Sequence, residues 1–380
     1  MAEPPDAPRR RLPSKGRGPG RRPSPRPAAP ARPAFAPASA APGGSSAAAL
    51  AAAPVERGFG GGWLIVAGKE LADHILSARF YVLVVVLSMA AAGAVYGAAS
   101  GIQSAAGQIA SQPEVLPAPF LALFTVSPQV GGQSLPSFYA LIGLLGPLLG
   151  IAFGFDAVSS ERSEKTLPRL LAQPIHRDDV VNGKFAAGLG AIGGILVAVV
   201  VLVAGLGLFQ LGIVPTPEAV FRLAAWLVVS VIYVGLWLAF ATLCSVVMRR
   251  AATAALVAIA LWIVLILFGS LLAGIAANAL SPLPSSPTTD EQIANSNLQE
   301  ALARVSPATL YAEATGVLLD PTARSVDLLT STQTQGAVAG VLPLDQSLLL
   351  VWPQITVLVA ETSVCFAVAY ISFMRQEVRA

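Results

Sequence analysis

Six apolar runs, each long enough to cross a bilayer, constrain this chain more than any other feature. They lie at 80–99, 138–158, 185–214, 223–247, 254–276 and 349–373. About 20 apolar residues in helical form span roughly 30 Å of hydrocarbon, where every backbone polar group must find its partner inside the segment. Only 12% of the 380 residues are charged, against about 25% in an ordinary soluble domain. The pattern predicts an all-α polytopic membrane protein with six spans. The 185–214 run exceeds what a crossing needs, so its ends are expected to project or tilt.

Residues 1–62 form a Pro/Ala/Gly/Arg-rich tail that includes Arg9-Arg10-Arg11 and Arg21-Arg22. Such a composition buries no core, and it lacks the short apolar block and cleavage site of a secretory signal. Weak attraction to anionic lipid headgroups is the one role its charge suggests. The membrane domain is then 63–380. From Trp63, Leu64, Ala67, Leu71 and Ile75 recur at helical spacing while Lys69, Glu70, Asp73 and His74 take the other side. This predicts an amphipathic helix in the headgroup plane before the first span.

Of the 24 Lys and Arg, only Arg222, Arg304 and Arg324 fall on the side of the bundle opposite the N-terminus. Basic residues favour the cytoplasmic side, so both termini and the 159–184 loop are expected in the cytoplasm of a plasma-membrane protein. The larger loops, 100–137 and 277–348, then face outward. Within the second, Ser306-Pro307 forms a cap and first-turn pair, followed by a helix with Leu310, Ala314, Val317 and Leu318 on one face and ending near Asp320-Pro321. Gly146/Gly150/Gly154, Ala186/Gly190/Gly194/Ala198 and Gly93/Gly97 repeat at four-residue intervals, which suits close helix packing in lipid.

The chemistry-bearing residues are few. His74 and His176 are the only histidines and cannot build a metal cluster, while Cys244 and Cys365 lie inside apolar runs. Nothing fits the Gly-x-x-x-x-Gly-Lys-[Ser/Thr] phosphate loop, so any ATP hydrolysis belongs to another polypeptide. Glu361 falls mid-span, where a charge costs at least about 2.5 kcal/mol; it is a candidate for a conduit or proton-coupling role, or for a neutral carboxyl bonded to a neighbouring helix. Asp156 sits near the cytoplasmic end, where a cap or a pairing with a basic loop residue is expected. The 159–184 loop carries Glu161, Arg162, Glu164, Lys165 and Thr166 in a short amphipathic segment, broken at Gln173-Pro174; a second helix begins at Asp178-Asp179 and runs through Lys184 into the third span.

Those loop residues carry a resemblance. Phe155-Asp156-Ala157-Val158-Ser159-Ser160-Glu161-Arg162, then Thr166-Leu167, Leu171-Ala172-Gln173-Pro174-Ile175 and Asp178-Asp179-Val180-Val181-Asn182-Gly183-Lys184, resemble the signature of type 2 ABC permeases, the membrane subunits of exporter-like ABC transporters. Lys69-Glu70, and Ser306-Pro307 with Tyr311 and Glu313, extend the likeness over about 63–380. One departure is Lys165, where the family usually places Gly; without it the turn is free to continue as helix. The resemblance implies a separate ATP-binding subunit that carries ATP and magnesium, a second permease copy (the same or a different chain), and no cofactor in this chain. It implies no nucleic-acid partner, and lipid is the surrounding medium. Coupling to the ATPase would run through Glu161, Arg162, Glu164, Lys165 and Thr166, with Lys69 and Glu70 on the preceding helix. Charge reversal at Glu161 and Glu164 is then expected to abolish association or coupling while sparing insertion. A membrane anchor or assembly factor without transport and a proton-linked secondary carrier built on Glu361 are the alternatives.

Overall fold

The computed structural model describes residues 61–104, 118–130, 133–166, 176–323 and 341–376. The tail up to residue 60 and the Gln173-Pro174 break lie outside the described residues. Six helices are long and apolar enough to cross a membrane. In chain order the helices are α1 (Gly62–Ile75), α2 (Ala78–Ser104), α3 (Pro119–Thr125), α4 (Phe138–Gly154), α5 (Ser159–Ser163), α6 (Arg177–Leu211), α7 (Pro217–Val247), α8 (Ala251–Leu280), α9 (Thr289–Ala303), α10 (Pro307–Leu319) and α11 (Leu344–Met374). A two-residue antiparallel pair, β1 (Gln129–Val130) with β2 (Gln133–Ser134), is the one sheet among the described residues. The spans are α2, α4 with α5, α6, α7, α8 and α11.

The 35-residue α6 carries its surplus length at its start, where Asp178 and Asp179 occupy the first turn. There the His176 backbone N–H donates to Asp179 Oδ2 at 3.2 Å. Acids at this end suit the exposed N–H groups and the helix dipole.

The bundle is organised around α7, whose Trp226, Tyr233 and Trp237 are all buried. It packs against α4, α6, α8, α10 and α11. The glycine stripe on α4 lets it approach α7 closely. A Cβ on Gly150 would stand 2.5 Å from the Val234 carbonyl oxygen, and one on Gly154 would stand 2.7 Å from that of Leu238. Backbone meets backbone here because no side chain intervenes. The other stripes are used only in part: a Cβ on Gly97 would overlap Pro128 Cβ and one on Gly190 would stand 3.6 Å from Leu71, whereas Gly93 and Gly194 have no neighbouring atom within 4 Å of a would-be Cβ.

In the second turn of α7, Arg222 is 1% exposed. Its guanidinium donates to the Leu318 and Leu342 carbonyls and to Ser347 Oγ, and pairs with Glu218. The predicted helix is α10, with Leu310, Ala314, Val317 and Leu318 buried. Ser306 occupies its N-cap position without a side-chain cap bond. The preceding α9 was not anticipated. Its signal is a capping box: Glu291 N–H donates to Thr288 Oγ1 at 3.3 Å and Thr288 N–H to Glu291 Oε2 at 2.8 Å.

Helix α1 lies along α6. A Cβ on Gly183 would meet Val66 Cβ at 2.7 Å and the Trp63 carbonyl at 2.8 Å, so glycine lets the two helices touch. The helix divides differently from the simple two-sided expectation. Val66, Glu70 and His74, spaced four apart, turn away from solvent, whereas Trp63, Leu64, Ile65, Ile75 and Leu76 are exposed. The solvent-facing side thus mixes apolar side chains at both ends of the helix with Lys69 and Asp73 between them, as suits a helix bedded at a headgroup boundary.

Candidate functional site

The end of the bundle that carries most of the cations is built by α1, the α4–α5 turn, the start of α6 and the end of α7. Ser245, fully buried near the end of α7, fixes the turn. Its Oγ accepts the N–H groups of Val158 and Ser159, both at 3.0 Å, and donates to Ser159 Oγ at 3.1 Å. One hydroxyl thus satisfies two backbone donors at a helix start, which would otherwise be orphaned.

Glu161 and Arg162 then point inward. Glu161 Oε1 lies 2.8 Å from Lys184 Nζ, and the same ammonium lies 3.1 Å from Glu70 Oε2. Lys184 is 9% exposed, so α1, α5 and α6 meet on one nearly buried cation. The second carboxylate oxygen of Glu161 is buried with no hydrogen-bond partner. Arg162 takes the other direction. Its guanidinium donates to the Val246 carbonyl at 3.2 Å, to that of Met248 at 3.5 Å, and to Gln376 Oε1. Those carbonyls are at the end of α7, where helical partners have run out and a cation is favoured. Gln376 in turn donates to Val246 O at 2.8 Å, and Arg177 donates to Gln376 O at 3.3 Å. The end of α11 is thereby tied to the same knot.

Glu164, Lys165 and Thr166 are exposed instead. Lys165 has φ of +59°, the left-handed conformation that glycine favours, so the turn does not continue as helix. Thr166 N–H closes it by donating to the Glu161 carbonyl at 2.9 Å. The backbone keeps the conformation that the resembled pattern writes with Gly, now carried by a lysine.

Lys69 is exposed and pairs with Asp73 at 3.0 Å and with Glu70 at 3.6 Å. The hydrogen bond to Asp73, with the charges of Asp73 and Glu70, raises its amino group above the ordinary value against the opposing effect of partial burial. Asp156 pairs with Arg79, which opens the first span, at 2.8 Å, rather than with a residue of its own loop. Arg79 also donates to the Ala152 carbonyl at 3.2 Å. A cavity of about 130 Å³ between these groups is lined by Glu70, His74, Arg79, Asp156, Ser160 and Lys184. His74 stands edge-on to Phe153 at 5.0 Å, and burial pushes its pKa below the ordinary histidine value.

The structure thus divides the sequence-picked residues. Glu161, Arg162 and Glu70 turn inward; Glu164, Lys165, Thr166 and Lys69 face out. Glu361 belongs elsewhere, in a groove on α11 shared with α7 and α8. Sequence reasoning missed Lys184 as the hub, and with it Arg79, Ser245 and Gln376. Lys184 carried a usable signal: a cation at the edge of the apolar 185–214 run needs an acidic partner. Gln376 and Ser245 carried none, since a polar residue at a helix end is usually solvated. Among the described residues no group of His, Cys, Asp and Glu could hold a metal ion.

The family model described as ABC-2 family transporter protein matches residues 64–378. No curated protein matches the chain. With six apolar helices and a family match spanning nearly the whole described fold, this chain belongs to the ABC-2 family of transporter proteins and is a multi-pass membrane component of transport.

Proposed function

We propose that the chain is the permease subunit of an exporter-type ABC transporter, pairs with a second permease, and is driven by a separate ATP-binding subunit that holds ATP and magnesium. Both termini and the 159–184 loop face the cytoplasm of the plasma membrane in this reading. One observation carries it: a single short element presents Glu164, Lys165 and Thr166 outward while its Glu161 and Arg162 are tied to α1, α6 and the end of α7. A push on the exposed side therefore reaches three helices through charged contacts rather than dissipating in a loose loop. The absence of a phosphate-binding loop from the sequence supports a partner as the source of hydrolysis. The excess of Lys and Arg at this end supports the orientation.

The test is copurification from native membranes, followed by Glu164→Lys. We expect an ATP-binding-cassette subunit to copurify, to turn over faster with the permease, and to lose that stimulation with Glu164→Lys while membrane insertion is unchanged. A variant that retains both association and stimulation would refute the coupling role. Labelling of a cysteine placed at 164 from outside intact cells would refute the orientation.

A further inference from the structure

A groove of about 500 Å³ runs between α7, α8 and α11 and is lined almost wholly by apolar side chains. Trp237 and Phe240 form an aromatic wall, with rings edge-to-face at 6.3 Å. Leu261 and Leu265 face them from α8, and Val357 adds to the α11 side. Its one ionisable carboxyl is Glu361, one of whose oxygens is buried with no hydrogen-bond partner, while the Thr356 hydroxyl is taken up by the Trp352 carbonyl. Glu361 lies 13 residues before Met374, about 20 Å along the helix axis, and so deep within the span. No Lys or Arg lines the groove. Acids at such depth ordinarily pair with a cation or a hydrogen-bond donor.

We propose that this groove binds a lipophilic organic cation, whose charge meets Glu361 and whose apolar body rests on Trp237, Phe240, Leu261 and Leu265. The volume falls in the range of small-molecule sites, which combine apolar walls with a few polar groups that fix orientation. Aromatic faces add attraction for an organic cation, and a neutral body of the same shape gains only the apolar part. Helix α8 has Ala254, Ala258, Ala273 and Ala277 as its buried residues, and the lining side chains Leu261, Val357 and Val364 are themselves exposed, so the groove is open along its flank. An occupant can therefore enter sideways from the hydrocarbon phase. That the occupant is cargo rests on the permease reading above; that it binds does not.

The test uses the full chain in lipid nanodiscs, with whatever subunit copurifies. Tetraphenylphosphonium is the probe, and neutral triphenylphosphine oxide is the control. Equilibrium dialysis should show saturable tetraphenylphosphonium binding that Glu361→Gln weakens by about tenfold or more, while the neutral compound changes by less than about twofold. Retained neutral binding shows that the Gln variant is folded. Glu361→Asp should recover part of the affinity, and Leu261→Trp should weaken both compounds by filling the groove. Equal tetraphenylphosphonium affinity in wild type and Glu361→Gln would overturn the proposal, as would non-saturable binding, the result expected if a second copy of the chain covers the groove. Because binding is read without nucleotide, loss of ATP-driven transport with binding intact would count against the permease reading alone.

Discussion

Lys184 Nζ stands 2.8 Å from Glu161 Oε1 and shares its charge with Glu70 at 3.1 Å, so one nearly buried ammonium joins three helices. Removing it leaves two carboxylates facing each other with little solvent. Breaking a buried ion pair by deleting one partner commonly costs about 3–5 kcal/mol. Lys184→Met should therefore lower the melting temperature of the detergent-purified protein clearly, and adding Glu161→Gln should restore part of the loss. The measurement is thermal unfolding of the unaltered chain, the single variant and the double variant. A double variant no better than the single would show that the pair is not what Lys184 supports.

Lys165 offers the opposite case, a substitution expected to stabilise. A left-handed conformation costs an L-residue about 1–2 kcal/mol, and glycine avoids that strain while losing about 0.5–1 kcal/mol in chain entropy. With φ at +59°, Lys165→Gly should raise stability by roughly 0.5–1 kcal/mol, whereas Lys165→Val should reduce it. If Lys165→Gly also slows stimulated ATP turnover, the exposed charge, not the backbone, is what a lysine adds at this place.

The spans were legible because apolar length in lipid leaves one solution, and Arg177–Leu211 exceeds its predicted run mainly by the polar turn before it. The helix Pro307–Leu319 was legible for the same kind of reason, a cap followed by a periodic apolar face. The site was legible only as a location. Composition places charges at the 159–184 loop, but which of them turn inward depends on contacts distant along the chain, such as Glu161 with Glu70 through Lys184 and Arg162 with Gln376. Four-residue spacing on one helix does not encode such contacts. The same limit separates the glycine stripes: Gly150 and Gly194 sit in similar patterns, yet only Gly150 has a helix against it.

That difference yields a paired prediction. A methyl group on Gly150 would overlap the Val234 carbonyl at 2.5 Å and the Leu238 amide nitrogen at 2.9 Å, both backbone atoms that cannot swing aside. Gly150→Ala should force the two spans apart and cost about 1–3 kcal/mol, the range for overpacking a core. Gly194→Ala, with open space around it, should leave folding unchanged or slightly improve it through helix propensity. Yield of monodisperse protein and melting temperature, compared for the two variants side by side, check the pair. An equal loss in both would mean that Gly194 meets a partner helix in the membrane.

His74 adds a pH dependence whose sign follows from its surroundings. Burial is the main cause that lowers its pKa, aided by the charges of Arg79 and Lys184 and opposed by Glu70 and Asp156. The folded chain therefore holds the imidazole neutral to lower pH than the unfolded chain, whose histidine titrates near about 6.5. Protonation favours the unfolded state, so the contribution is fully present above that value and is lost as pH falls through the folded pKa. As pH falls below about 6.5 the melting temperature should drop before the carboxylates titrate, and His74→Phe should flatten that drop by removing the proton acceptor beside Phe153. The window matters because ordinary carboxylates, with reference values near 4, titrate mostly below it. A melting curve equally steep in the Phe variant would assign the acid sensitivity to other groups.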